Sequence, residues 1–353
     1  MKRFFVACLI FISFSAIAFA EEYKEVSPGY KVNFPDDFFY KKDFRVQWWY
    51  FTGHLFDAQG REFGYELTFF IVGVQKRDYR SRFGVDNIYI SHFAISDVKE
   101  KRFYFSDKAD SGAFDFAGAA GDRLKVWVDN DRLEGTMKKM HIVASDKENT
   151  LDLVLVPAKP PVLHGEKGYS RKSEESPLAA SYYFSYTNLN TQGSLKIRDR
   201  EFGVHGKSWF DREISTRGLG KGEIGWDWFS IQLDDDREIM FYMIRKNDGS
   251  SSEYSSGTVV YPNGTYRHLS AGDFKITVLD HYKSERTGAR YPSQWEVAVP
   301  SEAATLKIKP LIRDQEFSGA ASTGNYYWEG ACTVEGSAKG RAYVEMTGYQ
   351  GER

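Results

Sequence analysis

Cysteine is nearly absent: the 353-residue chain has two, Cys8 and Cys332. Cys8 falls in the amino-terminal segment expected to be removed, so one thiol remains. That excludes an internal disulfide framework and any zinc cluster built from thiolates. Beyond the amino terminus, no apolar run approaches the roughly 20 residues that span a bilayer. No amphipathic pattern of helical period extends beyond about three turns. Neither sign of charge dominates, with 47 Lys and Arg against 49 Asp and Glu. A balance of this kind argues against nucleic acid or an anionic membrane as partner. The G-x-S-x-G elbow, the H-E-x-x-H motif, the phosphate loop and the dinucleotide fingerprint are all missing. His54, His92, His141, His164, His205, His268 and His281 form no pair at metal-ligand spacing. Neither a metal nor a cofactor is therefore expected.

Aromatic residues are abundant, at 16% of the chain; such rings favour strands and an apolar, stacked interior. Lys2 and Arg3, the apolar run from Phe4 to Phe14, and Ala18-Phe19-Ala20 before Glu21 read as a secretory signal peptide over residues 1–20. Cleavage after Ala20 would leave a soluble periplasmic or secreted chain, expected to work as a monomer. Runs of period two follow, among them Phe63–Phe70, Leu151–Val156 and Trp295–Val299, separated by turns such as Asp57–Gly60 and Pro262–Gly264. The stretch from Val162 to Ala180 reads as a long loop, of a length that is commonly functional or disordered.

The chain also repeats itself. Trp48–Leu55, Asp57 and Arg61–Tyr65 match Trp226–Leu233, Asp235 and Arg237–Phe241. Leu153–Pro157 matches Leu306–Pro310, Tyr182–Phe184 matches Tyr326–Trp328, and Val204 with Trp209 matches Val344 with Tyr349. Four matches in chain order imply a duplication. The expected fold is all-β, with two tandem antiparallel barrels of roughly eight to ten strands each, closed so as to remove exposed edges. The first would span residues 21–215 and the second 216–353, with the glycine-rich Arg217–Gly222 as their joint.

Polar groups set among apolar strand residues mark the candidate site. Glu66, His92 and Asp227 each sit inside an aromatic strand, Asp227 between Trp226 and Trp228. Asp211 and Glu213 alternate onto one face of Val204–Glu213. An inward-facing carboxyl among rings is poorly solvated, which raises its pKa and suits it to donate a proton. The competing expectation is a structural latch pairing Asp211 and Glu213 with Arg212 and Arg217.

Gln47–Leu55, Gly203–Glu213 and Gly225–Asp235 resemble the AttH-like family of secreted proteins, and so do Gly168–Ser173, Arg286–Pro292, Tyr327–Gly330 and Tyr343–Tyr349. That family is related to carotenoid 1,2-hydratases. The resemblance runs from about Tyr30 to Tyr349, and it implies two lipocalin-like barrels packed together. It also implies hydration of an isoprenoid or carotenoid-like alkene. Protonation of a trisubstituted alkene gives a tertiary cation that water captures. Asp211 would give the proton, with Trp209, Trp226 and Trp228 facing the cation and His92 or Tyr183 orienting the water. Glu213 is a further candidate acid, and Trp48, Trp49, Glu66 and Asp227 would bind the ligand. His205 stands where the family pattern suggests a small residue and is given no role. The alternative is a non-catalytic carrier of a lipid or isoprenoid serving an inner-membrane ABC exporter. It needs the same apolar cavity but no titrating acid. Hydrolysis lacks an activated serine, cysteine or metal.

Overall fold

A computed structural model describes residues 22–76 and 84–349; the expected signal peptide, residues 1–20, lies outside these. In the first half β1 (Val46–Asp57), β2 (Glu62–Gly73), β3 (Asn87–Asp97) and β4 (Arg102–Asp110) form one meander. A second contains β5 (Ala117–Ala119), β6 (Leu124–Val128), β7 (Asp131–Thr136), β8 (Lys139–Ser145) and β9 (Asn149–Pro157). The short strands β10 (Val162–Leu163) and β11 (Tyr169–Arg171) precede the long hairpin of β12 (Ala180–Ile197) and β13 (Arg200–Ser215). β13 lies between β12 and β1 and so joins both meanders into a 13-stranded antiparallel sheet.

The second half holds β14 (Glu223–Leu233), β15 (Glu238–Lys246), β16 (Ser256–Val260) and β17 (Tyr266–Ser270). β18 (Lys275–Lys283), β19 (Arg290–Val299), β20 (Ala304–Pro310), β21 (Glu316–Ser318), β22 (Tyr326–Gly336) and β23 (Gly340–Met346) complete a 10-stranded sheet. The order β15-β14-β23-β22-β20 repeats the order β2-β1-β13-β12-β9, as a duplication requires.

Each sheet curls around its own core without closing by strand pairing among the described residues. These near-barrels replace the closed barrels expected. At the free end of the first sheet β5 has three residues, too few to zip onto the longer β4. The interiors are solid. Trp49, Phe51, Leu55, Phe63 and Tyr65 fill the first, and Phe229, Ile231, Trp295, Trp328 and Cys332 fill the second. Cys332 is fully buried and free, as a packing residue should be. A third cluster lies between the sheets and contains Tyr50, Tyr183, Trp209, Trp228, Tyr242 and Tyr343. The central strands are therefore covered on both faces. This is why Trp48 to Tyr50 read as an unbroken aromatic run rather than an alternation.

The cross-strand register brings distant residues into single rungs. Asp107, His92, Thr68, Tyr50, Asp211 and Ser185 stand opposite one another on β4, β3, β2, β1, β13 and β12. On the other sheet the matching rung runs Ser270, Ser256, Tyr242, Trp228, Glu345 and Glu329 across β17, β16, β15, β14, β23 and β22. Tyr50 is thus equivalent to Trp228, Asp211 to Glu345, and Ser185 to Glu329. The same ladders set Leu55 opposite Gly206 and Leu233 opposite Gly340. The expected match of Val204 and Trp209 with Val344 and Tyr349 is consequently six residues out of register. Tyr182–Phe184 and Tyr326–Trp328 do occupy equivalent places, since Ser185 and Glu329 follow them directly.

Reciprocal contacts relate the halves by an approximate two-fold axis. His54 Nε2 donates to the Ala342 carbonyl at 2.9 Å, and its mate Gln232 donates to the Ser208 carbonyl at 3.0 Å. The equivalent residues Tyr50 and Trp228 also both donate across to the other half, Tyr50 to Glu329 at 3.0 Å and Trp228 to the Tyr183 hydroxyl at 3.0 Å, although these acceptors are not equivalent.

A candidate active site between the two sheets

The cavity that gathers the buried titratable groups lies on this axis, between the near-barrels rather than inside either one. It holds about 310 Å³. A larger hollow of about 780 Å³ at the end of the first sheet is walled mostly by exposed or half-buried side chains such as Lys99, Arg200 and Glu201. It has no comparable dry wall. Trp48, Tyr50 and Phe70 from the first sheet face Trp226, Trp228, Tyr242 and Ile244 from the second across the smaller cavity. Tyr50 meets Trp228 edge to face at 5.1 Å between ring centres, an arrangement contributing about 1 kcal/mol beyond its buried area.

Asp211 stands in the cavity wall, 3% exposed. Its Oδ2 accepts from the Tyr183 hydroxyl at 2.8 Å, and its Oδ1 accepts from the Trp209 indole at 2.6 Å and from Ser185. Burial pushes the carboxyl up to about 7, although all three donors favour the ionised form. Behind Ser185, His164 sits 2.7 Å from its hydroxyl and 2.9 Å from that of Thr258. Burial holds His164 well below the usual histidine value. A neutral ring fits this chain, with Thr258 donating to Nδ1 and Nε2–H donating to Ser185.

The latch between Asp211, Glu213 and the arginines does not form. Arg212 points into the first near-barrel, 3.9 Å above the Trp49 ring, and donates to Gln47 and to the carbonyls of Asp37 and Phe39. Arg217 pairs with Glu25. Period two decides this, because Arg212 lies between Asp211 and Glu213 and must face the other way. Glu213 lines the cavity, accepts from Ser181 and lies 3.5 Å from the Lys172 ammonium. Lys172 also sits 3.9 Å from the Tyr242 ring centre. Burial opposes its charge, yet Glu213 and Tyr242 keep its pKa raised.

Of the other expected site residues, Trp48, Trp226, Trp228 and Tyr183 line the cavity. Trp209 stands just behind it, edge to face with Trp228 at 6.1 Å. Trp49 and Asp227 point away into the two interiors. Trp49 donates to the Phe38 carbonyl at 2.8 Å, and Asp227 pairs with Arg245 at 3.0 Å and accepts from Tyr349. Both belong to the opposite face of strands whose next residues do line the site. His92 is one side chain removed. It bonds to the Tyr327 hydroxyl at 2.6 Å and to Ser322 at 2.8 Å, and Tyr327 forms the wall. Glu66 is fully buried behind that wall, accepts from Thr68, and keeps its second oxygen unpartnered.

The sequence reading missed Lys172, His164, Tyr50, Tyr327, Glu329 and Glu345. The two glutamates lie within Tyr327–Gly330 and Tyr343–Tyr349, segments noted for their pattern but not for their acids. Among the described residues no group of His, Cys, Asp and Glu is arranged to hold a metal ion.

Known proteins share this fold. A crystal structure of AttH from Nitrosomonas europaea is 33% identical and superposes with a TM-score of 0.85 over 93% of this chain and all of that one. Kievitone hydratase from Nectria haematococca has the same fold at 14% identity, with a TM-score of 0.70 over 93% of this chain and 97% of its own. The dehydratase asqC of Emericella nidulans is 21% identical over 276 residues, 73% of this chain and 74% of that protein. The AttH-like family pattern matches residues 25–349, which includes every strand that builds the cavity. The chain belongs to the AttH-like family.

Proposed function

We propose that this protein is a lyase that adds water to, or removes it from, a carbon–carbon double bond of an apolar substrate bound between its two sheets. One observation carries the reading: a dry carboxyl poised at about 7, Asp211, faces a wall of indole and phenol rings. Such a group is populated in both protonation states near neutrality and can move a proton in either direction. A cation formed beside Trp48, Trp226 and Trp228 would gain about 2 kcal/mol from each well-placed ring in a dry site. Two similar proteins, a hydratase and a dehydratase, support the same reaction class. The substrate is an isoprenoid-like alkene, of which a cavity of about 310 Å³ holds one end rather than a whole carotenoid. The reaction requires no cofactor. We take it to occur outside the cytoplasm, on the strength of the amino-terminal export signature.

Asp211→Asn tests the reading. The amide keeps the shape but cannot carry the proton. Geraniol, an acyclic isoprenoid, is the probe; binding is read by indole fluorescence and turnover by product analysis. Binding should survive within a few-fold, while hydration falls by about two to four powers of ten. A parent protein that binds geraniol without converting it sinks the lyase and leaves a carrier.

A further inference from the structure

We infer that Glu345, paired with Glu329, is a second proton-transferring group of this site and the two-fold counterpart of Asp211. The inference rests on the lyase reading and extends it from one acid to two. Glu345 and Glu329 are direct cross-strand partners on β23 and β22, and both line the cavity. Like charges placed directly opposite repel. Two carboxyls at this spacing without a cation relieve the repulsion by keeping a proton between them. The groups that face Glu345 add to this. Asp211, Glu213 and Glu329 share the cavity wall with it, Glu66 lies behind, and the nearby ammonium, Lys172, is engaged with Glu213.

Hydrogen-bond supply separates the two centres. Asp211 accepts three side-chain donors, each of which binds an ionised carboxyl more strongly than a neutral one. Glu345 has the Trp226 indole, and Glu329 has the Tyr50 hydroxyl. The first set suits a carboxylate and the second a carboxylic acid. Burial agrees in direction, pushing Glu345 to about 8 and Glu329 well above its usual value.

The division of labour follows. In hydration, Glu345 gives its proton to one alkene carbon and becomes a carboxylate. Water forms a bond to the cationic neighbouring carbon, and its excess proton passes to the Asp211 carboxylate. One hydrogen and one hydroxyl have then been added, and transfer of a proton from Asp211 to Glu345 through solvent restores both groups. Dehydration runs the same steps backward.

Two measurements on the full chain test the assignment. Carbon-13 NMR of labelled Asp and Glu carboxyls should show a glutamate signal titrating near 8 that vanishes in Glu345→Gln and moves down in Glu329→Gln. Glutamates that all titrate in the ordinary range overturn the inference whatever the activity. With geraniol in heavy water, Glu345→Gln should lose at least 100-fold in turnover and in deuterium transfer to carbon, while binding stays within a few-fold. An active parent with an equally active Glu345→Gln overturns this inference and leaves the lyase standing. An inert parent overturns the lyase and the second acid together. Thermal melts of both variants establish that each is folded.

Discussion

Asp211 and Glu345 release their protons at about 7 and about 8 in the folded protein, against 3.8 and 4.5 for ordinary carboxyls. The native state therefore binds these protons more tightly than the unfolded chain. Their contribution to stability is complete below about pH 4 and is lost as pH rises from about 4 to about 8. Each unit of separation corresponds to about 1.4 kcal/mol, so the loss amounts to about 4–5 kcal/mol for each group. Asp211→Asn and Glu345→Gln stay neutral throughout and should flatten the profile. Melting temperatures of parent and variants across this range are the check; identical slopes would contradict it. Asp211 was legible because Trp209-Phe-Asp211 sets an acid beside rings in a run that must be a strand. The direction of its pKa followed from that setting, but the rings that desolvate it did not, because Trp228, Tyr183 and Tyr242 arrive from other strands.

At the scale of strands, alternation tells which residues share a face but not what that face meets. Trp48 and Trp49 are equal candidates by type, and only the packing of one sheet on the other sends Trp48 to the cavity and Trp49 to the interior. The duplication was legible through β1 and β14, whose lengths are similar. It slipped at the last hairpin because β13 has 16 residues and β23 has 7. What marks the true register is a glycine on each strand. A side chain at Gly206 would begin 1.9 Å from the His54 carbonyl oxygen, and one at Gly340 would begin 2.2 Å from that of Gln232. Those are the residues whose side chains bridge the halves. Gly206→Ala and Gly340→Ala should each destabilise by about 3 kcal/mol, since backbone must move to admit the methyl group. Gly203→Ala, with open space around it, should be nearly neutral. Denaturant midpoints for the three variants would expose an error in the register if Gly203 proved as sensitive as the other two.

Across the whole molecule, the two halves share a face lined with buried acids. Separating them would wet Glu66, Glu329 and Tyr343 together with the aromatic wall, so neither half has a stable surface of its own there. Both should unfold in one calorimetric transition; two resolved endotherms would show that the interface contributes little to their stability. The resemblance to a two-barrel family anticipated paired units, but the site was expected within a barrel. No pattern in one strand reveals that both interiors are solid. The facing of the two sheets has a stereochemical consequence. Asp211 belongs to one wall and Glu345 to the other, so a flat alkene lying between them presents its opposite faces to the two groups. Hydrogen arrives on one face and oxygen on the other, an anti addition that yields a single relative configuration wherever both carbons become stereogenic.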